Sequence, residues 1–366
     1  MVYVKIIPCD SYKQSNVDKA VRIALKDFEI KKNKTVFIKP NLLGAYRKGF
    51  IVITNPSVVE AICKILSKNK NKIIIGDSSF QNTELAIQKS GLKEVAKKYN
   101  AKLINLERTE FINIKIPKGK ILKEVLLPKV VLDVDYIINV PKLKTHSLMK
   151  LTCGIKNMFG IIPGVKKQGL HNFAPTEEKF AQMLLDLNSV VKPNFTIVDA
   201  VIGMEGEGPA AGEARPTGLI LASDSQFAVD LIACDIIGWD RKSVPTNRLA
   251  LEQKLVDEKI DIIGRVPKIP YKKPSSLPVK GILNFVMNRI PQSRITLYNE
   301  KCIKCGACRR GCPMGAITLK PYPVIDTKKC IRCFCCLEVC PEHALYLKPP
   351  VSRKFIDWIR KKMARI

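Results

Sequence analysis

CIKCGACRRGCPMGAITL at 302–319 and CIRCFCCLEVCPEHALYL at 330–347 are one pattern written twice, at an offset of 28 residues. Each copy spaces four cysteines as C-x2-C-x2-C-x3-C and follows the fourth with proline. A four-iron cube needs a soft anionic ligand at every corner, and three closely spaced thiolates in a tight loop supply three of them. The fourth comes from elsewhere, and in two-cluster arrangements it is the last cysteine of the opposite run. The spacing therefore predicts two [4Fe–4S] clusters, one on Cys302, Cys305, Cys308 and Cys340, the other on Cys330, Cys333, Cys336 and Cys312. Structural zinc normally takes cysteines in pairs, which does not account for a second full copy of the run. A disulfide framework needs an export route, and MVYVKIIPCDSYKQ at 1–14 has no basic-then-apolar leader. Cys335 is left as a spare thiol between ligands.

Of 13 cysteines, nine lie between 302 and 340, while Cys9, Cys63, Cys153 and Cys234 are scattered upstream. That usage fits a reducing cytoplasm. Duplication predicts two half-modules packed about a pseudo-twofold axis, a small α+β two-cluster bacterial-type ferredoxin domain over 298–348. Residues 265–297 read as a linker, with Pro267, Pro270, Pro274 and Pro278 in VPKIPYKKPSSLP and a short apolar helix in VKGILNFVMNRI. In the basic amphipathic tail, 349–366, Val351, Phe355, Trp358, Ile359, Met363 and Ile366 fall at helical spacing among Lys and Arg. Such a tail suits an anionic membrane surface, an acidic protein, or its own domain. No stretch approaches the roughly 18 to 20 apolar residues of a membrane span. The localisation read from the sequence is cytoplasmic, with peripheral membrane contact through the tail left open.

Net charge is +29, and residues 267–366 carry 21 Lys or Arg against 5 Asp or Glu. A surface this basic suits acidic protein partners, anionic lipid or nucleic acid. Few interleaved aromatics argue against nucleic acid.

From 1 to 264, short apolar runs alternate with amphipathic stretches, which predicts an α/β domain with a largely parallel or mixed sheet. Strand candidates are 2–7, 36–38, 72–75, 102–104, 136–140, 195–199 and 218–222; helix candidates are 17–28, 58–67, 84–90, 180–191, 226–237 and 247–258. Residues 111–127 read as extra extended segments. Lys39 with Asn41, Asp77 with Ser78 and Ser79, and Lys142 with Lys144 and His146 each follow a strand candidate. Ligands of open α/β sheets bind beyond the carboxyl ends of strands, so these groups are candidates for one crevice. His146, Lys142, Lys144 and Asp77 are the catalytic candidates; Lys39, Asn41, Ser78 and Asp199 are the ligand-binding ones. The lysines suit an anionic small molecule, and His146, whose ordinary pKa lies near neutrality, is the first choice for proton transfer. Cys153 reads foremost as a buried small hydrophobe. GIKNMFG at 154–160 and GLHNF at 169–173 read as polar, glycine-punctuated loops of lid-like composition. GMEGEGPAAGEARPTG at 203–218 lacks both the GK[ST] ending of a P-loop and a dinucleotide fingerprint, and reads as a solvated loop carrying Glu205, Glu207 and Glu213.

KPNLLG at 39–44, GDSS at 76–79, PKLKTH at 141–146 followed by CGIKNMFG at 153–160, and MEGEGP at 204–209 are together similar to the domain-of-unknown-function family 362. Many of its members carry a C-terminal two-cluster ferredoxin, and the family has no agreed reaction, so the resemblance implies a domain layout rather than a chemistry. Three functions are consistent with these readings. The first is an oxidoreductase or redox accessory protein whose clusters exchange electrons between a carrier protein or redox enzyme and the N-terminal crevice. The second is a non-catalytic relay or ligand-binding accessory. The third, weakened by the aromatic count, is an iron–sulfur nucleic-acid-binding protein.

Overall fold

The computed structural model describes residues 2–47, 49–79, 82–274, 294–312, 314–330 and 335–348. Cys333, Pro313, the apolar helix expected at 282–290 and the basic tail lie outside the described residues. The strands are β1 (Tyr3–Pro8), β2 (Thr35–Pro40), β3 (Lys72–Asp77), β4 (Lys102–Asn105), β5 (Phe111–Lys115), β6 (Glu124–Pro128), β7 (Tyr136–Val140), β8 (Lys142–His146), β9 (Lys150–Thr152), β10 (Phe195–Glu205), β11 (Glu213–Ser223) and β12 (Asp261–Ile263), followed in the ferredoxin module by β13 (Arg294–Leu297), β14 (Ile317–Lys320), β15 (Tyr322–Ile325) and β16 (Leu345–Lys348). The main sheet runs β12-β1-β11-β10-β7-β2-β3-β4, with β8 joined to β10 and β9 to β8. Pairs β2/β3, β3/β4, β2/β7 and β7/β10 are parallel, and β11 is antiparallel to both β1 and β10. The sheet is thus mixed and largely parallel, and β5 and β6 form a separate hairpin.

Alternation along the strands makes two cores. Val36 and Ile38 face one with Val21, Val59 and Ile62; Phe37 faces the other with Phe180, Leu184 and Leu231. Helices Gln14–Leu25 and Pro56–Lys68 cover the first face, Glu177–Val190 and Gln226–Ile236 the second. Helix starts follow local chemistry: Asn55 accepts the Ser57 N–H ahead of Pro56 at the first helical position, and Thr176 and Ser225 cap the two helices opposite.

Five segments depart from the sequence reading. GIKNMFG, read as a loop, is the helix Gly154–Asn157 followed by a 3-10 turn at Met158–Ile161. Lys142–His146 is itself a strand, because the long β10 pairs first with β7 and then, past Pro141, with β8. GLHNF belongs to helix Gly164–Phe173 rather than to a loop. Much of 203–218 is strand, and Glu205 is buried at the end of β10, accepting the Lys272 N–H at 3.0 Å. The start of the proline-rich stretch is anchored: Ile269 and Tyr271 donate to the carbonyls of Ile236 and Ile237, and Trp239 Nε1 donates to Tyr271 O at 3.1 Å.

The module keeps its duplication down to the backbone. Gly315 and His343, 28 residues apart, both take left-handed conformations, with φ of 57° and 48°. Cys312 Sγ accepts the Ala316 N–H and Cys340 Sγ the Ala344 N–H, each at 3.2 Å. The two parts of the chain touch where the ring of Tyr46 stacks on that of His343, with centroids 5.6 Å apart.

Asp230 fastens the segment after β9 to helix Gln226–Ile236. Its carboxylate oxygens accept the N–H groups of Gly154 at 2.6 Å and Ile155 at 3.2 Å. Burial pushes this carboxyl up to about 7 from its ordinary 3.8, against the lowering effect of Cys153 and the two N–H donors. An acid raised in this way binds more protons folded than unfolded between those values, so its contribution to stability is full below the window and is lost as pH rises through it. Denaturant midpoints across that range should fall with pH in the wild type, and Asp230→Asn should remove that part of the slope. Parallel curves for the two proteins would disprove the assignment.

Candidate functional site

β2 and β3 are parallel neighbours, so their carboxyl ends emerge side by side. Lys39 closes β2 and Asp77 closes β3, and their side chains pair at 2.7 Å. Both are almost wholly buried. Asp77 Oδ2 also accepts the Leu42 N–H at 2.6 Å and Oδ1 the Ser78 N–H at 2.8 Å, while Lys39 donates to Pro40 O at 2.7 Å. Burial raises the Asp77 carboxyl and lowers the Lys39 amine, since each loses hydration of its charged form.

This pair lies in a cavity with roughly 510 Å³ of empty space, the open solvent at its mouth included. The cavity is lined by Lys39, Asn41, Asp77, Ser78, Lys144 and His146 among the sequence candidates. Lys156, Asn157, Phe159, Gly160 and Lys167 also line it, from the two segments read as lid-like and the residues joining them. Lys144 donates to Val52 O at 3.0 Å and Pro209 O at 3.3 Å. Lys167 reaches in from helix Gly164–Phe173 and donates to Ser78 O; burial brings its amine down to about 8, with Asp77 and Glu107 opposing that shift and Lys39 and Lys156 adding to it. Among the described lining residues, four lysines face a single carboxylate. The hydroxyl of Thr152, buried in the same wall, has no hydrogen-bond partner among the described residues.

Three sequence candidates take different places from those expected. Nδ1 of His146 accepts the N–H groups of Leu148 at 3.0 Å and Met149 at 3.2 Å, so the neutral ring carries its proton on Nε2 and presents a donor. His146 is thus built to hold an acceptor more than to take up a proton. Lys142 and Asp199 do not line the cavity. They pair with each other at 3.0 Å, Lys142 also donates to the Tyr12 hydroxyl at 2.5 Å, that hydroxyl donates to Asp199 at 2.7 Å, and Asp199 accepts the Asn55 N–H at 2.8 Å. That closed network ties the chain start to β8 and β10. Cys153 is fully buried, and burial raises its thiol well above the usual range. Lys167, Lys156 and Thr152 carry no sequence signal beyond the lid-like composition around two of them.

In the module, Cys302, Cys305, Cys308 and Cys340 line one cavity enclosing roughly 360 Å³, together with Leu297, Leu319 and Leu345. Of the other four, Cys336 is buried and Cys312 and Cys330 are partly so.

A family model described as a domain of unknown function, DUF362, matches residues 36–235, and one described as a 4Fe-4S dicluster domain matches 301–344. The chain belongs to the DUF362 family. The thylakoid-associated protein sll1697 of Synechocystis sp. (strain ATCC 27184 / PCC 6803 / Kazusa) is 29% identical over 259 residues, covering 69% of this chain and 79% of that protein. Among solved structures, the lactate racemase apoprotein of Thermoanaerobacterium thermosaccharolyticum aligns with 61% of this chain and 54% of its own, at 14% identity and a TM-score of 0.38. A Thermotoga maritima protein aligns with 54% and 52%, at 11% identity and 0.34. The chain spans about half the length of these solved chains, and at such scores neither likeness bears on chemistry.

DUF362 membership with this second domain makes the chain an iron–sulfur protein that binds 4Fe–4S centres. The residues fit that group: four thiols surround one apolar cavity, and the Ala344 N–H is directed at the Cys340 sulfur, a contact that tunes such clusters. Each corner of a cube takes one thiolate, so the sulfurs ring the cluster instead of converging on one ion. Among the described residues, no three His, Cys, Asp or Glu side chains do converge on a single-ion site.

Gly160 forms the roof of the main cavity. A Cβ there would stand 2.5 Å from Lys39 Nζ and 2.6 Å from Asp77 Oδ1, and the Gly160 carbonyl accepts the Ser78 N–H at 3.0 Å. Gly160→Ala should therefore cost about 1–3 kcal/mol in denaturant unfolding through overpacking against the ion pair. An unchanged midpoint would show that the roof is not seated on that pair.

Proposed function

We propose that the ferredoxin module holds two [4Fe–4S] clusters and exchanges electrons with a small anion bound in the cavity at the ends of β2, β3 and β8. The observation that carries this reading is the cavity's charge, with Lys39, Lys144, Lys156 and Lys167 around Asp77. Lys39, Lys144 and Lys167 are buried and Lys156 is partly exposed, and burying three ammonium groups beside one carboxylate is costly unless further anionic charge joins them. The Thr152 hydroxyl adds a neutral donor suited to an oxygen of a carboxylate or phosphate. When bound, the clusters supply single electrons; the chain's own residues hold the anion, fix its orientation and exclude water from it.

The proposed ligand sets are Cys302, Cys305, Cys308 and Cys340 for one cluster and Cys330, Cys333, Cys336 and Cys312 for the other. The basic module favours an acidic carrier protein as electron partner, because opposite fields speed encounter. Peripheral contact with a membrane is supported by the thylakoid association of sll1697 and by the basic, amphipathic sequence at 349–366. No helix among the described residues is long and apolar enough to cross a membrane.

Two measurements test the reading. Anaerobically purified protein should contain about eight irons and eight sulfides per chain; about four would remove one cluster. Calorimetry with inorganic phosphate or a small dicarboxylate should show binding that Lys144→Gln weakens by roughly 10- to 100-fold, the worth of one hydrogen bond to a charged group. If neither anion binds the wild-type protein, or the variant binds as well, the anion site is wrong. Electron exchange with a carrier but no anion binding would favour the accessory-relay reading.

A further inference from the structure

Ser78 stands between Lys167 and Glu107. Its hydroxyl accepts from Lys167 Nζ at 3.3 Å and donates to Glu107 Oε1 at 3.0 Å. Lys167 and Ser78 are buried in the cavity wall, whereas Glu107, in the short turn after β4, is only half-buried and reaches solvent. The line is held at every link. Ser78 is fixed through its N–H to Gly160 O and Asp77 Oδ1, and Glu107 Oε1 accepts the Gly164 N–H at 3.3 Å. A Cβ on Gly164 would stand 2.6 Å from that same oxygen, so the helix carrying Lys167 begins with the one residue that lets Glu107 in.

Of the other cavity bases, Lys156 is partly exposed with its ammonium over the Phe159 ring at 5.9 Å, and the rest are committed. Lys39 is bound by Asp77, Lys144 donates to two backbone carbonyls, and Nδ1 of His146 is taken by two backbone N–H groups. We propose that Lys167, Ser78 and Glu107 form a proton relay, in which Lys167 hands a proton to the bound anion and is reloaded from solvent through Ser78 and Glu107. This rests on the reading that the cavity's anion receives electrons from the clusters.

The balance is simple. An electron delivered to a buried anion adds negative charge, and a proton leaves Lys167 Nζ for the ligand to offset it. Glu107, a carboxylate that accepts from Ser78 at rest, picks up a proton from solvent, and in one concerted movement that reverses both hydrogen bonds Ser78 takes that proton while giving its own to the neutral amine. The electrons come from the carrier protein by way of the clusters. Such a relay needs an amine that exists in both forms near neutral pH. The charged groups facing Lys167 are Asp77 on β3, Lys39 on β2, Glu107 after β4 and Lys156 after β9, and with burial they place it there.

The test needs no ligand, so it can fail while anion binding stands, and anion binding can fail without touching it. Competitive acetylation of the holoprotein with acetic anhydride, read by mass spectrometry, should show Lys167 half-reactive near pH 8. Glu107→Gln should lower that midpoint, since the carboxylate favours the ammonium form. Proton exchange at the Lys167 amine, followed by nitrogen-15 NMR, should slow by about tenfold or more in Ser78→Ala, the lower bound for losing a positioned proton-transfer group being higher still. Ser78→Thr, which keeps the hydroxyl, should restore it. Lys167 titrating like a surface lysine, or exchange that is unchanged in Ser78→Ala and Glu107→Gln, would overturn the relay.

Discussion

Lys39 and Asp77 are opposite charges brought together by parallel pairing, at a place where water is nearly absent. Two adjacent parallel strands deliver them at the same level, and each would be intolerable there without the other. Much else is arranged around that contact. The Leu42 and Ser78 N–H groups complete the carboxylate, Gly160 lies on the pair because it has no side chain, and Asn157 Nδ2 donates to Lys39 O at 3.2 Å. Lys167 approaches the same carboxylate, and its burial, with Lys39 and Lys156 nearby, brings its amine down in spite of Asp77.

What the sequence made legible was whatever local order decides. Cysteine spacing specifies cluster chemistry because a loop of fixed length can present only certain corners to a cube, and the 28-residue repeat recurs in the paired left-handed residues Gly315 and His343. Lys39, Asn41, Asp77 and Ser78 were legible as a crevice because each stands where an apolar run ends. Lys167 was not, since GVKKQGLHNF begins with one glycine, holds another at Gly169 and shows little amphipathic pattern, and its position depends on how the helix lands on the sheet. Lys142 shows the opposite failure. It has the same residue type and the same local context as Lys144, yet Tyr12, 130 positions away in sequence, closes it off with Asp199. The proline-rich stretch reads as linker by composition, but its first residues find backbone partners at Ile236 and Ile237 that no local pattern announces.

The two parts of the molecule spend their charge differently. In the α/β domain, lysines are concentrated in a dry cavity where their fields are strong and a single anion would satisfy several at once. In the module, the described residues Lys301, Lys304, Arg309 and Arg310 are exposed and face whatever approaches from solution. The ring contact between Tyr46 and His343 stands between these regimes: Tyr46 follows Leu42 and Leu43 of the cavity wall, and the His343 N–H donates to the carbonyl of Cys340.

β10, finally, pairs with β7 and then, across a register shift between Asp199 and Met204, with β8, so the side chains offered to the cavity are set by the alternation within β8. Alternation gives Lys144 and His146 to the cavity and turns Leu143 toward the core. One residue gained or lost after Pro141 would reverse that assignment, lining an anion site with Leu143 and Thr145 and driving two polar side chains into hydrocarbon. Substitutions around the cavity alter its strength by degrees, whereas a change of length in this short stretch would exchange its inside for its outside.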